Sequence, residues 1–204
     1  MNRIIGAGFL AVATLVPIAA SSQVLRDGWS LQVGIAHESF AGGSEDTTIA
    51  GTRVEVFPSG RAGYEAAVGW RRRGWDVGLA LGYSNGNLTA DAKSLAAVDK
   101  SGGVKRYRAG LTLARRVAQL GAGSLSLSAG PTLDHWDLTG IGTRTTFGAR
   151  GGLLLRFPLG RLELENAVIY GLSASPFNQE DVAPSGRLKT LRAFSFGAGL
   201  RYPF

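Results

Sequence analysis

His37 and Ser39 stand two residues apart with Glu38 between them. An imidazole that takes a proton, a hydroxyl that attacks and a carboxylate that orients the imidazole are the minimum set for hydrolysing an ester. In an extended strand, residues i and i+2 share a face, so His37 and Ser39 can act together while Glu38 points the other way. A catalytic carboxylate would then come from Glu45 or Asp46. The reading that needs no chemistry is a histidine at the interfacial end of a strand.

The second set is charged. Arg71 and Asp76 flank the turn Arg72-Arg73-Gly74, Arg156 precedes Pro158-Leu159-Gly160, and Glu163, Glu165 and Arg201 complete the group. Charges removed from water must be paired or change protonation. These six are therefore expected to form one lattice, with Arg71 facing Asp76 and Arg201 beside Glu165. Such a lattice is either a polar core or a salt-bridge gate over a narrow path. Other chemistry finds little support. With only His37 and His135 and no cysteine, neither a histidine-rich nor a thiolate metal site is expected. Arg108-Ala109-Gly110 and Arg150-Gly151-Gly152 lack the strand-to-helix turn of a phosphate loop, and no cofactor is expected.

The elements that must hold these residues read as strands. Period-two segments cover Trp29–Glu38, Gly63–Arg71, Trp75–Ser84, Arg106–Arg116, Ser124–Asp134, Arg144–Phe157, Arg161–Ser173 and Leu191–Phe204, separated by Gly, Pro, Ser, Asn and Asp. One face of each is apolar, as in Leu31, Val33 and Ile35 or Val77, Leu79 and Leu81. The other mixes small residues with Glu65, Asp76, Arg108, Arg150, Arg156, Glu163, Glu165 and Arg201. The class is all-β. A soluble barrel would hide the apolar face; a membrane barrel would turn it to lipid. The small, glycine-rich charged face suits a narrow lumen. Aromatics sit at strand ends, as interfacial girdles do. The four lysines, Lys93, Lys100, Lys105 and Lys189, all avoid strand middles, where a soluble sheet would carry them. All three features favour lipid outside.

Met1-Asn2-Arg3, an uncharged run from Ile4 to Ala20 and small residues to Ser22 form a secretory signal, with cleavage expected before Gln23. Residues 23–204 then make one domain. The formal charge of +7 points, in an exported chain, to anionic lipid rather than nucleic acid. Loop lengths suggest eight strands: Arg72–Gly74, Val117–Gly123 and Pro158–Gly160 are short, while Asn85–Lys105, His135–Thr143 and Ala174–Thr190 are long. Short turns belong on the periplasmic side. Thr47–Phe57 would be a ninth strand. Since bacterial barrels have even counts, it is expected to extend the second strand above the membrane through a kink at Pro58–Gly60; ten strands is the alternative. Pro131 is expected to mark a bulge.

The closing run of Phe196, Ala198, Leu200, Tyr202 and Phe204 resembles the C-terminal signature of bacterial outer-membrane β-barrels. The resemblance spans the mature chain and is closest to the small eight-stranded OmpA- or OmpW-like barrels. It implies a closed antiparallel up-and-down barrel in the outer membrane, a C-terminal motif read by the barrel-assembly machinery, and a monomer among outer-membrane lipids and lipopolysaccharide. His37-x-Ser39 is similar to the His-x-Ser of the outer-membrane lipid A deacylases. The expected role is structural or surface-interacting, with a lipid A acyl-ester hydrolase using His37 and Ser39, or a narrow channel for small solutes, as alternatives. An eight-stranded interior is just filled by side chains, which argues against a wide pore. Lys93, Lys100, Lys105, Arg106, Arg144, Arg187 and Lys189 in the long loops are candidate contacts for head-group phosphates.

Overall fold

The computed structural model describes residues 27–49, 52–60, 62–92, 95–181 and 186–204. The expected signal and its cleavage site lie outside them. Eight strands form a ring: β1 (Gly28–Ala41), β4 (Ala62–Arg72), β5 (Trp75–Ala92), β6 (Leu95–Leu120), β7 (Gly123–Leu138), β8 (Gly142–Leu159), β9 (Leu162–Ser173) and β11 (Leu191–Pro203). Neighbours in the ring pair antiparallel. The last strand pairs with the first over Ser30–Ala41, and β5 pairs with β6 to complete the circuit. Outside the ring lie β2 (Ser44–Ile49), β3 (Thr52–Pro58) and the two-residue β10 (Arg187–Leu188).

The alternation of side chains settles which face is inside. Val33 is 63% and Leu81 60% exposed, whereas Arg201 and Glu163 are 3% exposed. An apolar outer face around a polar interior is stable only against lipid, where all backbone polar groups are paired within a closed ring. Aromatic side chains mark two levels of this outer face. Tyr64, Tyr83, Tyr107 and His135 are successive ladder partners across β4 to β7 at one end. Trp29 and Trp70 are partners at the other, with Trp75 nearby. Phe196, Leu200, Tyr202 and Phe204 also face outward, the last two stacked at 6.4 Å.

The short-turn end is closed by two-residue turns. Arg73 and Gly74 both have positive φ, 51° and 81°, the backbone twist that suits a tight hairpin. Three expectations change, two of them at the opposite end. The segment 47–57 does not extend the second strand as one piece. β2 and β3 form a hairpin, and only β3 runs beside β5, at Glu55–Pro58, continuing the line of β4 past residues 59–61. Asn85–Ala92 and Leu95–Lys105 pair as the two sides of an arm rather than forming a loop. β5 and β6 stay paired from Asn85–Lys105 to Ala92–Leu95, through one shift at Asn87/Leu88. Asn-Gly-Asn reads as a turn in isolation, but ladder bonds on both sides hold it extended. Pro131 makes no bulge either. The β6–β7 ladder skips Leu111 and Thr112 opposite it and resumes in the same register; the bulge falls at Arg116/Ala118. A proline cannot donate to the ladder, and the sheet tolerates the missing bonds without slipping.

Candidate functional site: two arginine–carboxylate lattices in the lumen

Inward-facing residues from β1, β4, β5, β8, β9 and β11 meet near the short turns. Arg71 reaches across the lumen and donates to both carboxylate oxygens of Glu163 at 2.7 and 2.8 Å. It also lies 3.4 Å from Asp76, its ladder partner across the hairpin. Arg201 donates to Asp76 at 3.0 Å and to Ser30 Oγ at 2.7 Å. Arg156 donates to Glu165 at 2.6 Å and contacts Asp76 at 3.1 Å, while Gln32 donates to the other Glu165 oxygen at 2.9 Å. The structure thus gathers Arg71, Asp76, Arg156, Glu163, Glu165 and Arg201, all buried, into one network. Three guanidiniums face three carboxylates.

The pairing expected for Arg201 is corrected. Its ladder partner is Glu163, and its guanidinium goes to Asp76 rather than Glu165. The cause is the turn after β8. With Leu159 opposite Leu162, Pro158 falls opposite Glu163 and Arg156 opposite Glu165, so Glu165 is taken by its hairpin neighbour. Gly69 makes the Arg201–Asp76 contact possible. A Cβ there would stand 3.0 Å from Arg201 Nη2 and 3.3 Å from Asp76 Oδ1.

A second lattice, not foreseen as a group, occupies the other half of the lumen. Glu38 accepts from Arg106 and Arg108, one oxygen each, at 2.7 Å. Asp134 Oδ1 accepts from the same two arginines at 2.9 and 3.1 Å. Asp134 is fully buried, and its Oδ2 has no hydrogen-bond partner among the described residues. Arg150 donates to Glu65 at 2.8 Å and, more weakly, to Thr112 at 3.4 Å. Again three guanidiniums face three carboxylates. Between the lattices lies a cavity of ≈ 80 Å³ bordered by Gln32, Glu65, Thr112, Arg150, Glu165 and Arg201. That is room for a few waters.

Two residues farther along the strands the inward face turns apolar. Asp134 is followed by Trp136 and Leu138, Glu38 by Phe40, and Arg106 is preceded by Val104. Val104, Trp136 and Leu138 form a buried cluster with Phe177 and Leu191, against which Phe40, Val56, Phe57, Leu88 and Leu188 pack. Arg106 joins the layers, its guanidinium 4.8 Å from the Trp136 ring and 5.3 Å from that of Phe40. A cation on an aromatic face keeps its N–H groups free for the carboxylates.

The remaining candidates fall in different places. His37 and Ser39 are exposed on the outer face. Ser39 Oγ donates to the Phe194 carbonyl at 3.3 Å. Glu38 faces inward and is held by two arginines, and Glu45 is engaged by Lys189 at 2.7 Å. The side chain of Asp46 lies outside the described residues. Among the described residues, no carboxylate completes a triad with His37. Of the loop cations, Arg106 is corrected to a lumenal residue. Arg144 donates to the Phe177 carbonyl and to Asn178, and Lys189 bridges Glu45 and Glu55, each at 2.7 Å. Lys105 is exposed, with Asp137 at 3.7 Å, and Arg187 is also exposed. Lys93 and the side chain of Lys100 lie outside the described residues. No group of metal-ligating side chains occurs among the described residues.

No family model matches the chain, and no curated protein matches it. Solved structures do. Neisserial surface protein A superposes with a TM-score of 0.53 at 15% identity, covering 87% of this chain and 97% of that one. The outer membrane protein OprG from Pseudomonas aeruginosa superposes with a TM-score of 0.59 at 12% identity, covering 87% and 96%. At such identity the likeness is one of fold: the chain has the architecture of the small outer-membrane β-barrels.

Proposed function

We propose that this chain is a monomeric outer-membrane barrel with a structural or surface-interacting role, and that its lumen does not conduct. The observation that carries this reading is the double closure of the interior. Each half of the lumen is crossed by an arginine–carboxylate network, and an apolar cluster covers the network farther from the short turns. An ion moving through would have to break paired buried charges at two levels and then wet an apolar layer. The short turns belong on the periplasmic side, where a signal-directed chain presenting Phe196, Leu200, Tyr202 and Phe204 meets the barrel-assembly machinery. The opposite end, with β2, β3 and the paired arm of β5 and β6, then faces outward, where lipopolysaccharide and external partners are met. Lys105 and Arg187, of the candidate loop cations, and Arg192 on the last strand are exposed there to contact them.

The test is electrical. The purified chain, folded into a planar bilayer, is expected to leave the conductance at that of bare lipid. Discrete unitary steps from the wild type would replace the scaffold by the narrow channel.

A further inference from the structure

The outer face near the short turns carries cations that nothing described answers. Arg72 on β4, Trp75 on β5 and Arg115 on β6 form one cross-strand row, each the ladder partner of the next. Arg72 and Arg115 are exposed and two strand spacings apart, about 10 Å. The Arg115 guanidinium lies 4.9 Å from the centre of the Trp75 ring. A guanidinium over an aromatic ring keeps N–H groups free for a further partner. One step toward mid-barrel the row becomes Trp70, Val77 and Leu113, all exposed and apolar. Arg73, Arg116 and Arg161 add charge at the same end. No side chain of these five arginines makes an ion pair among the described residues. Of the carboxylates beside the turn, Asp76 faces the lumen, and Asp27 accepts the Arg73 backbone N–H at 3.2 Å.

We propose that this row is a binding site for an anionic glycerophospholipid of the periplasmic leaflet. The phosphodiester lies between Arg72 and Arg115, and the acyl chains lie along Trp70, Val77 and Leu113. Guanidiniums bind phosphate through paired N–H groups, and an apolar row directly below them suits a lipid better than a free anion. The proposal rests on the orientation argued above only for the leaflet, not for the lipid chemistry.

The tryptophans report on it. Trp29, Trp70 and Trp75 are exposed at this end, and Trp136 is buried at the other. The folded chain is placed in phosphatidylcholine vesicles containing a minor fraction of brominated phosphatidylglycerol or of brominated phosphatidylcholine, and quenching gives a relative association constant. About 1 kcal/mol per basic residue at an anionic surface predicts a preference for phosphatidylglycerol of roughly 5- to 30-fold. Arg72→Gln/Arg115→Gln is expected to bring it near one. Lys105→Gln/Arg187→Gln, which removes equal charge at the far end, should leave it intact. Both arginines are exposed, so the double variant should fold; the single Arg115→Gln serves if it does not, with a reduced preference expected. No preference in the wild type, or equal loss in the far-end variant, overturns the site. Loss of the preference in millimolar inorganic phosphate overturns the lipid as ligand. Orientation is read separately, by labelling cysteines introduced at Ala122 and Thr139 with an impermeant maleimide on intact cells. Labelling at position 122 instead of 139 would reverse the orientation and leave the vesicle result standing.

Discussion

A side chain's face is set by its own strand, but its partner across a lumen is set by the ring as a whole. Parity alone puts Arg201 and Glu165 on the inner face. It does not say that Arg201 spans the interior to Asp76 while Glu165 takes Arg156 and Gln32. A double-mutant cycle separates the two pairings. Removing Arg201 alone should cost less than the about 3–5 kcal/mol of a fully stranded buried charge, because Asp76 keeps Arg71 at 3.4 Å and Arg156 at 3.1 Å. The coupling of Arg201 to Asp76 should exceed 1 kcal/mol, about the lower range for contacting residues, and that to Glu165 should be within the ~0.5 kcal/mol expected of non-contacting sites. Unfolding by denaturant in lipid vesicles measures both, and the reverse ranking would refute the register. The second lattice was partly legible. Glu65, Arg108 and Arg150 fall on the charged face by alternation, whereas Arg106, at the first position of its predicted strand, counts among the candidate loop cations. Its partner Asp134 was read as the end of a strand that in fact continues to Leu138.

Alternation over apolar residues made all eight ring strands readable, since each must present one face to lipid. The outer segments obeyed no such demand. Above the membrane a strand is held by pairing rather than by a lipid-facing stripe, so the arm of β5 and β6 carries polar, turn-like sequence that reads as a loop, whereas Thr47–Phe57 reads as an extension of the second strand. One tie among them is explicit. Lys189, just after β10, bridges Glu45 on β2 and Glu55 on β3. Lys189→Met should therefore speed hydrogen exchange at Ser44–Glu45 and Arg187–Leu188 while leaving the ring strands protected. Uniform loss of protection would mean that this corner does not open by itself. Hydrogen bonds to Glu45 and Glu55 raise the Lys189 pKa. The tie is thus fully present below the ordinary lysine value of about 10.4 and is lost only as pH rises above it. Exchange at this corner should accelerate in strongly alkaline buffer beyond the intrinsic base dependence, and Lys189→Met should abolish that excess.

For the whole molecule, an apolar exterior and a polar interior reverse the arrangement of a water-soluble barrel. The chain is expected to need detergent or lipid to fold, to give a β-rich circular dichroism spectrum there, and to run faster on a gel unheated than boiled. A monomer that stays folded and monodisperse without amphiphile would contradict the lipid-facing surface. This property was the most legible of all, because it depends on the average character of each face and not on any single contact. The apolar cap over the second lattice was written in the same alternation, where Asp134 gives way to Trp136 and Leu138. Its closure depends on Phe177 and Leu191 folding in from a loop and the last strand, a convergence that no single segment displays.

Each lumenal network opposes three guanidiniums with three carboxylates, and that equality bears on how the interior can be moved. A transmembrane voltage does work only on net charge it displaces, about 2.3 kcal/mol per elementary charge per 100 mV. A network with its positive and negative charges balanced, shifting as one body, carries no gating charge. The field acts only on its internal dipoles. Voltage therefore finds no handle on either network. What loosens them is whatever discharges one partner, such as acid reaching a carboxylate.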